Sequence, residues 1–465
     1  MIVSDRNQDL AVFHRYSGGS NPHPVDIYDE LIVQDILSTQ HLFVLEGKVW
    51  IYCSGCYHLD DMGTIIKALI ESHIFPELIR IDRLNRVYNL LLSKNQLTVS
   101  LDQINNYPST WICFRNGMLD VKTMKLHPHD PSYRCINMIP HDWNPDEAEK
   151  KAKTSLFAQY IKEWIPDAED RKMVLQYCGY SMTTATMFQV FLIITGNGGL
   201  GKGVFLRLVQ YAIGAENCSS LSLQRLSGRD HRFQTAFLVG KSANICGDIA
   251  SNELEDTSVI KMLVGEDAIS AEYKGGKVFS FRPYAKHFFS ANRIPATKED
   301  KTKGYYRRLM ILHIWNRCTD IPNLEEQLHK DVDSFIYQAV CALHDVFVAP
   351  DGTEIKIPQI KKSPNCEKEV LDVYMSADSV KAFLFQKTKN VTGEKTEARV
   401  LYDRYCDFCM DEERTPIKRN SFYQNMREKG YRYGASNGKQ YFFGIMYTAD
   451  GHFLSPLETE ADLPF

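Results

Sequence analysis

The stretch Phe188-Gln-Val-Phe-Leu-Ile-Ile-Thr195, followed directly by Gly196-Asn-Gly-Gly-Leu-Gly201-Lys202-Gly203, decides the fold of this chain. The first eight residues are mostly apolar and predict a buried β-strand, and the run from Val204 to Ala212 predicts a helix. Glycines between a strand and a helix allow consecutive backbone N–H groups to surround a phosphate, while the helix N-terminus and Lys202 contribute positive charge. The pattern therefore predicts a nucleotide-binding loop. Its residues are Gly196, Asn197, Gly198, Gly199, Leu200, Gly201, Lys202 and Gly203.

One position of this loop departs from the usual form. Gly203 stands where a serine or threonine normally ligates magnesium through its hydroxyl. We therefore expect ATP and Mg²⁺ as cofactors, with the missing magnesium ligand supplied from elsewhere. The alternative is a glycine-rich turn with an incidental lysine, but the strand before the loop and the helix after it favour nucleotide binding.

Two later apolar runs end in polar residues that suit the same chemistry. Ser242-Ala-Asn-Ile-Cys-Gly-Asp248 predicts a strand ending in a carboxylate, and Ala285–Ser290 predicts another strand, which Asn292 follows. Because parallel strands end at one edge of a sheet, we expect Asp248 to hold the metal and Asn292 to sense the γ-phosphate or orient water. A surface aspartate at a strand end is the alternative for Asp248. Glu253 and Glu255 are both candidates for polarising the attacking water.

A basic turn lies between two stretches of alternating polar and apolar residues. The stretches Ala268–Tyr273 and Lys277–Phe281 predict the two strands of a hairpin with Lys274-Gly275-Gly276 at its turn. A tip formed by Lys274, Gly275 and Lys277 suits contact with the backbone of single-stranded DNA. A hairpin without such a role is an equal alternative.

A pair of arginines, Arg307 and Arg308, follows Asn292 at a spacing of 15 and 16 residues. A guanidinium is planar and always charged, so it can stabilise charge that develops on a transferred phosphoryl group, often from a neighbouring subunit. The pair is therefore a candidate for this role. A pair of surface arginines is the alternative.

The composition indicates a multidomain protein of a reducing compartment. The 465 residues exceed one ordinary core and suggest about three domains. A formal net charge of −4 excludes a polycation, so contacts with nucleic acid must come from local patches. No apolar run approaches the roughly 20 residues needed to span a bilayer. The 12 cysteines are scattered, and the pairs Cys53/Cys56 and Cys406/Cys409 lie too far apart in the chain to predict one zinc site. We expect reduced thiols, no contact with membranes and a cytoplasmic location in a bacterial host.

The patterns divide the chain into segments of an α/β multidomain protein. Strand-like runs alternate with helical stretches after residue 187, as in a parallel sheet wound with crossover helices, and prolines interrupt the periodicity after residue 348. The predicted segments are an α+β amino-terminal domain at 1–150, a helical connector at 151–186, a nucleotide-binding core at 187–345, a linker at 346–375, a DNA-binding domain at 376–447 and an acidic tail at 448–465.

The segment 376–447 predicts a basic winged helix. It holds 13 basic and 9 acidic residues, and two helical stretches, Val400–Cys409 and Ser421–Lys429, precede the aromatic hairpin pattern of Gly430–Tyr447. We expect Lys418 and Arg419 to contact duplex DNA, because the basic charge concentrates near them. A winged helix that docks proteins is the alternative.

The order of these motifs resembles that of a superfamily-three helicase. GNGGLGKG, NICGD, GEDAISAEYKGG, FFSAN and RRL follow one another within about 115 residues. More closely, the chain is similar to the phage and plasmid primase-helicase family related to the poxvirus D-type nucleoside triphosphatase. Phe114-Arg-Asn-Gly-Met-Leu-Asp120 and Trp143-Asn-Pro145 resemble the domain that precedes that core, so the resemblance covers most of residues 40–320.

This resemblance implies a hexameric ring with an AAA+ P-loop core and 3′ to 5′ movement on single-stranded DNA. It implies phosphate binding by Lys202, metal binding by Asp248, a sensor role for Asn292, DNA contact by Lys274 and an arginine finger at Arg308, with Arg307 as its rival. Leu200 departs from the family, which often has asparagine there. The stretch before residue 40 is too short for a primase module, so we expect a helicase that leaves priming to a partner.

The last residues resemble the acidic tip of bacterial single-stranded-DNA-binding proteins and a sliding-clamp-binding peptide. A replication partner such as a primase or a clamp would bind the terminal four residues through an apolar pocket with a basic rim. These are Asp462, Leu463, Pro464 and Phe465. An ordinary flexible terminus is the alternative.

Together these features predict an ATP-dependent replicative DNA helicase of a phage or mobile element. Two other classes remain as alternatives: an origin-binding or scaffold protein that binds nucleotide without hydrolysing it, and a nucleotide-driven remodeller of proteins. Turnover stimulated by single-stranded DNA distinguishes the helicase from the scaffold protein.

Overall fold

The computed structural model describes residues 10–228, 230–251, 254, 256–295, 297, 303–412 and 414–448. Glu253, Glu255 and the predicted partner-binding residues Asp462, Leu463, Pro464 and Phe465 lie outside these ranges. Within the described ranges, no helix combines the length and the apolar character needed to cross a membrane.

The amino-terminal part consists of small antiparallel sheets and three helices. The elements are β1 (His14–Tyr16), β2 (Pro24–Ile27), α1 (Asp29–Thr39), β3 (Leu42–Leu45), β4 (Lys48–Cys53), β5 (Cys56–Asp60), α2 (Thr64–Glu71), α3 (Ile81–Leu92), β6 (Trp111–Phe114), β7 (Gly117–Asp120) and β8 (Lys125–His127). β3, β4 and β5 form one antiparallel sheet, and β6, β7 and β8 form another.

The middle of the chain contains three helices, then an α/β unit. The elements are α4 (Pro145–Lys151), α5 (Leu156–Trp164), α6 (Ala168–Ser181), β9 (Phe191–Thr195), α7 (Lys202–Ile213), β10 (Cys218–Ser219), α8 (Leu223–Ser227), α9 (His231–Thr235), β11 (Ala243–Cys246), α10 (Ser258–Leu263), β12 (Ile269–Glu272), β13 (Val278–Phe281), β14 (Lys286–Ala291), α11 (Lys303–Tyr306), β15 (Leu309–His313), α12 (Leu324–Lys330), α13 (Val332–Phe347) and α14 (Pro364–Ser376).

A five-stranded sheet organises this middle part. Its order is β10-β11-β14-β9-β15, and every pair is parallel. All residues of β9 and β14 are buried, as expected for strands covered on both faces. The predicted parallel sheet is therefore present, and its carboxyl edge gathers the segments that follow β9, β11, β14 and β15.

The amino-terminal residues do not form the single domain predicted at 1–150. Residues such as Ile32, Val33, Ile66 and Val87 form one apolar cluster of their own. In contrast, buried residues between positions 112 and 143 belong to the same cluster as the strands of the five-stranded sheet; these are Ile112, Phe114, Leu119, Val121, Ile139 and Trp143. One face of the second sheet is therefore part of the core, while Cys113, Met118 and Cys135 form a separate small cluster with Cys56.

The predicted connector is also packed into this core. Its helices α5 and α6 lie where the periodicity predicts helices, and α6 runs against α13 at very short range. A Cβ atom at Gly179 would lie 2.3 Å from the carbonyl oxygen of Ala339, so only glycine permits this approach.

Residues 346–375 were predicted to be a linker, which is wrong for most of the second half of this range, because a helix forms there. α14 begins at Pro364 and packs against β15; the Ile311 N–H donates to Cys366 Sγ at 3.3 Å. The Asp170 carboxylate accepts hydrogen bonds from Ser363 and Asn365, which fixes the start of α14 on α6. The prolines that suggested a linker include Pro364 at the first position of a helix, where proline is favourable.

The carboxyl-terminal part contains three helices and a three-stranded antiparallel sheet. The elements are α15 (Ser379–Lys387), β16 (Thr388–Glu397), α16 (Ala398–Asp411), α17 (Arg419–Glu428), β17 (Arg432–Ser436) and β18 (Lys439–Tyr447), with sheet order β16-β18-β17. Both predicted helices and the hairpin are present, whereas α15 and β16 were not predicted. Aromatic rings of Phe383, Tyr405 and Phe422 hold the helices together, with ring centroids 4.6 Å apart for Tyr405 and Phe422.

Candidate functional site

The glycine-rich loop lies at the carboxyl edge of the sheet, between β9 and α7. Gly196 follows β9 with a φ of 136°, and a Cβ atom there would lie 2.4 Å from the carbonyl oxygen of Ile314. Gly199 and Gly201 also have positive φ values, 79° and 83°. No heavy atom lies within 4 Å of a Cβ built on Gly198 or Gly199, so the loop is open on that side.

Lys202 connects the loop with the neighbouring strand. Its ammonium donates to the carbonyl oxygens of Gly196 at 2.6 Å and Asn197 at 2.9 Å, and to Asn292 Oδ1 at 3.2 Å. Thr195 pairs with Ala291 in the register of β9 and β14, so the loop and Asn292 follow directly paired residues. Burial lowers the pKa of Lys202, and the Asp248 carboxylate opposes this shift. The structure thus brings together Lys202, Asn292 and Asp248.

Asp248 reaches this edge from the next strand. It lies two residues beyond β11 in the left-handed region, with a φ of 51°, and its backbone N–H donates to Ser290 Oγ at 3.2 Å. Ile249 N donates to the Ser290 carbonyl oxygen at 2.8 Å, which ties the segment after β11 to β14. Both the Asp248 carboxylate and the Ser290 hydroxyl are therefore placed beside the loop.

A cavity of about 750 Å³ opens in front of these groups. This volume lies within the roughly 300–1,000 Å³ that small-molecule sites occupy. The loop and strand-end residues in its wall are Gly198, Gly199, Leu200, Gly201, Lys202, Gly203, Gly247, Asp248, Ser290 and Asn292. Gly203 is exposed there, and a Cβ atom on it would meet only the side chain of Arg207, at 3.1 Å.

The opposite wall comes from segments that sequence reasoning did not assign to the site. Tyr160 of α5, Arg207 of α7, the segment 317–321 and Leu324 of α12 complete the lining. Glu163 Oε1 accepts hydrogen bonds from the backbone N and the hydroxyl of Thr319, at 2.6 and 2.7 Å, so α5 holds this segment. Its position directly after β15, at the carboxyl edge of the sheet, is the signal that could have revealed it.

Trp164 supports the loop from behind. Its indole Nε1 donates to the Leu200 carbonyl oxygen at 2.7 Å, and it is also the nearest group, at 3.3 Å, to a Cβ built on Gly201. Trp164 is 1% exposed. The helical connector is therefore part of the site, although the sequence showed Trp164 only as one residue of an apolar helix face.

Arg307 and Arg308 lie at the other edge of the sheet. Both precede β15, whose Leu309 pairs with Phe191 while His313 pairs with Thr195. Five residues of strand therefore separate them from the loop, roughly 17 Å at about 3.3 Å per residue. Arg308 donates to Gly304 O at 2.9 Å and Gln189 Oε1 at 3.1 Å, and burial, with Arg307 beside it, lowers its pKa. Arg307 is exposed, whereas Arg308 is held by contacts with its own chain.

The predicted hairpin is present. β12 and β13 pair from Ile269 with Phe281 to Glu272 with Val278, and Gly276 N donates to Tyr273 O at 2.7 Å across the turn. Lys274, Gly275 and Lys277 are exposed at its tip. The rings of Tyr273 and Phe279 stack beside this tip, with centroids 5.2 Å apart.

Lys418 and Arg419 are exposed at the start of α17, the third helix of the carboxyl-terminal part. They lie apart from the cavity.

The 12 cysteines are free thiols. Throughout the part of the chain that the structure describes, no group of three or more His, Cys, Asp and Glu side chains could hold a metal ion.

Comparison with protein families identifies two segments. Residues 194–308 match a family of unknown function (DUF5906), and residues 39–170 match the family described as D5 N terminal like. Each covers less than a third of the chain. The first contains the loop, Asp248, Asn292 and the arginine pair, and the second ends just after Trp164.

Known proteins similar to the chain include a viral protein and solved structures. "Putative helicase L207/L206" of Acanthamoeba polyphaga mimivirus is 23% identical over 342 residues, which are 71% of this chain and 33% of that protein. The chain thus spans about a third of the length of this curated relative. Two apo structures of the NrS-1 C-terminal region are 10% and 9% identical, with TM-scores of 0.46 and 0.49; they cover 88% and 90% of this chain and 97% and 99% of their own. The sequence resemblance is supported at a coarse level: the chain is similar to a viral protein that is named as a helicase, and it carries a segment similar to the D5 amino-terminal family.

Proposed function

We propose that this chain is an ATP-dependent replicative DNA helicase of a phage or mobile element, which acts as a hexameric ring and translocates on single-stranded DNA. One observation carries the proposal: Lys202, Asn292 and Asp248, from three separate segments, converge on one cavity beside a glycine-rich loop. This is the arrangement that nucleoside triphosphate hydrolysis by a P-loop AAA+ core requires.

The groups around the cavity suit ATP and Mg²⁺. The open backbone of Gly198 and Gly199 would surround the phosphates, and Lys202 would exchange its bonds to loop carbonyls for bonds to phosphate oxygens. Asp248 would hold the magnesium ion, and Asn292 would sense the γ-phosphate. The Ser290 hydroxyl, next to Asp248, is the candidate for the ligand that Gly203 lacks.

The distance of the arginine pair from the loop of its own chain supports assembly of several chains into a ring. An arginine about 17 Å from the loop of its own chain cannot complete that site, but it can complete the site of a neighbouring subunit. We propose that Arg307 acts in this way in the hexamer.

Two exposed basic elements suit DNA. The Lys274 hairpin projects from the α/β core, so it would follow the backbone of single-stranded DNA. The order α15, β16, α16, α17, β17, β18 supports the proposal of a winged helix, whose third helix would enter the major groove of duplex DNA. Lys418 and Arg419 at the start of that helix would contact the duplex.

ATP hydrolysis with and without single-stranded DNA tests the motor. We expect DNA to stimulate the wild type, and Lys202→Ala, Asp248→Ala and Arg307→Ala to lose turnover. Lys125→Ala, which removes an exposed lysine from β8, is the matched control and should behave as the wild type. Turnover at background level in a folded, DNA-binding wild type would contradict the proposal.

The hairpin has a separate test. Lys274→Ala should keep basal hydrolysis and lose most of the stimulation by single-stranded DNA, because the substitution leaves the cavity intact. Full stimulation of Lys274→Ala would exclude the hairpin as the DNA-tracking element. Stimulation by a protein but not by DNA would instead support the remodeller alternative.

The non-hydrolysing scaffold is favoured by one observation, the missing hydroxyl at Gly203. Gly203→Ser distinguishes the two classes because a side chain at this exposed position meets only flexible Arg207. If the wild type binds ATP without turnover and Gly203→Ser hydrolyses it, the chain is a scaffold with a modified loop.

A further inference from the structure

The hydroxyl of Tyr160 is buried beside the cavity without a partner. Tyr160 is 3% exposed, and its hydroxyl makes no hydrogen bond among the described residues. A buried hydroxyl without a partner costs roughly 1–3 kcal/mol, so such groups are rare unless a ligand, ion or water satisfies them. Tyr160 also belongs to the wall of the cavity.

The position of Tyr160 relative to the loop follows from α5. Trp164, which bonds to Leu200 of the loop, lies one helical turn after Tyr160, and the two rings stack with centroids 5.8 Å apart. Tyr160 therefore lies about one turn beyond the phosphate end of the cavity. Burial raises its pKa, with a further contribution from the Cys318 thiol, which places it next to the segment after β15.

The surroundings of Tyr160 differ from the phosphate end. The segment after β15 contributes the uncharged Cys318 and Ile321 and the charged Arg317 and Asp320 to the wall, whereas Lys202 and the loop glycines form the phosphate end. The wall is fixed at both sides: Glu163 holds Thr319, and Arg207 Nε pairs with Glu325 Oε2 at 2.8 Å. The apolar side chains of this wall, together with one unsatisfied hydroxyl, suit the base and ribose of a nucleotide, which carry no charge.

We propose that the Tyr160 hydroxyl forms a hydrogen bond with the nucleoside part of the bound nucleoside triphosphate, and that α5 thereby determines how the base and ribose are held. The inference rests on the nucleotide site proposed above. It assigns to the connector helix two separate tasks, in which Trp164 positions the loop and Tyr160 contacts the ligand.

Binding of ATP and of inorganic tripolyphosphate to the full chain tests this assignment. Tyr160→Phe keeps the ring and removes the hydroxyl. We expect it to weaken ATP binding about three- to tenfold, as for one neutral hydrogen bond, and to leave tripolyphosphate binding unchanged. KM for ATP should rise by the same factor while kcat is retained. Lys202→Ala should weaken the binding of both ATP and tripolyphosphate.

A second measurement separates a ligand contact from a structural role. Without ligand, Tyr160→Phe should melt at the same temperature as the wild type or above it, because it removes an unsatisfied hydroxyl. Tyr180→Phe is the matched control: this buried hydroxyl accepts a hydrogen bond from Phe188 N at 3.4 Å outside the cavity, and its loss should leave ATP affinity unchanged.

Three other outcomes of these measurements would each contradict the inference, the proposed function or both. Unchanged ATP affinity in Tyr160→Phe, with Lys202→Ala still defective, overturns the inference and leaves the proposed function standing. Equal weakening of ATP and tripolyphosphate, or a lower melting temperature without ligand, shows that the hydroxyl acts on the phosphate end or the fold. Failure of the wild type to bind either ligand overturns both the inference and the proposed function.

Discussion

Arg307 and Arg308 show how neighbouring residues of one type acquire different surroundings. The Arg308 guanidinium is half-buried and makes two hydrogen bonds to its own chain, while Arg307 is exposed at the same edge of the sheet. The motif favoured Arg308 as the finger because a sequence pattern identifies a pair of arginines and not the direction of each side chain. That direction depends on Gln189 and Gly304, which contact only one of the two.

This difference predicts that alanine at Arg308 mainly affects stability, whereas alanine at Arg307 mainly affects ATP hydrolysis. Arg308→Ala should lower the free energy of unfolding by about 1–3 kcal/mol, since it leaves Gln189 Oε1 without its donor. Arg307→Ala should change it by less than about 0.5 kcal/mol and abolish ATP hydrolysis. Urea unfolding and an ATPase assay measure the two effects.

Mixed rings provide the control for a role between subunits. Lys202→Ala subunits have an intact arginine, and Arg307→Ala subunits have an intact loop, so mixing two inactive variants should restore part of the turnover. No recovery on mixing would contradict a contribution of Arg307 to a neighbouring site.

His287 predicts a dependence of stability on pH. It is fully buried in β14, neither ring nitrogen has a hydrogen-bond partner among the described residues, and burial lowers its pKa to about 3. Because its pKa in the unfolded chain is about 6.5, the unfolded state binds the proton more tightly, and stability falls as the pH decreases from about 6.5 towards 3.

The variant His287→Leu isolates this contribution. Between pH 7 and pH 5, the wild type should lose about 2 kcal/mol more of its unfolding free energy than His287→Leu does, as two-state linkage with these pKa values requires. Urea unfolding at the two pH values measures the difference. An equal pH response of both proteins would mean that His287 stays neutral in both states or finds a partner.

At the scale of elements, α5 links the connector to the loop through Trp164. Trp164→Phe keeps an aromatic ring and removes the donor to Leu200 O. We expect ATP and tripolyphosphate binding to weaken by the same factor, about two- to tenfold, because the loop that holds the phosphates loses its support. Isothermal titration measures both affinities.

Trp111→Phe is the control for this substitution. Its ring stacks on His127 in the second amino-terminal sheet, with centroids 4.6 Å apart, and does not line the cavity. If Trp164→Phe bound both ligands as the wild type does, the hydrogen bond to Leu200 would not position the loop.

Elements with strong local signals were predicted well, and those defined by distant contacts were not. β9, α7 and the β12–β13 hairpin follow from apolar runs, glycines and alternation. α14 was predicted as linker because prolines and lysines hide its periodicity, and contacts with Asp170 and Ile311, far away in sequence, fix its place. β16 pairs with β18 about fifty residues later, and nothing in its polar sequence indicates burial.

At the scale of the whole molecule, separate parts would contact ATP and duplex DNA. Lys418 and Arg419 lie outside the cavity, so the double variant Lys418→Glu/Arg419→Glu should weaken duplex binding and keep basal ATP hydrolysis. The slope of log affinity against log salt should decrease by about 0.9 for each lost phosphate contact.

Lys330→Glu is the matched control because this exposed lysine pairs with Glu326 of the same helix, α12. Duplex affinity measured over a range of salt concentrations distinguishes the variants. A double variant with wild-type affinity and slope would favour a carboxyl-terminal part that docks proteins.

The sequence by itself determined the glycine-rich loop, the parallel α/β core, the hairpin and the segments that bring Asp248 and Asn292 to the edge of the sheet. These features depend on spacing along the chain, since strand, loop and helix are local and parallel strands end on the same side. Only the tertiary structure decided that one face of the sheet β6-β7-β8 joins the core, that Arg307 is the exposed arginine, that Trp164 supports the loop, and that Tyr160 belongs to the cavity. These depend on packing between residues distant in sequence, and an apolar helix face does not indicate which partner it will meet.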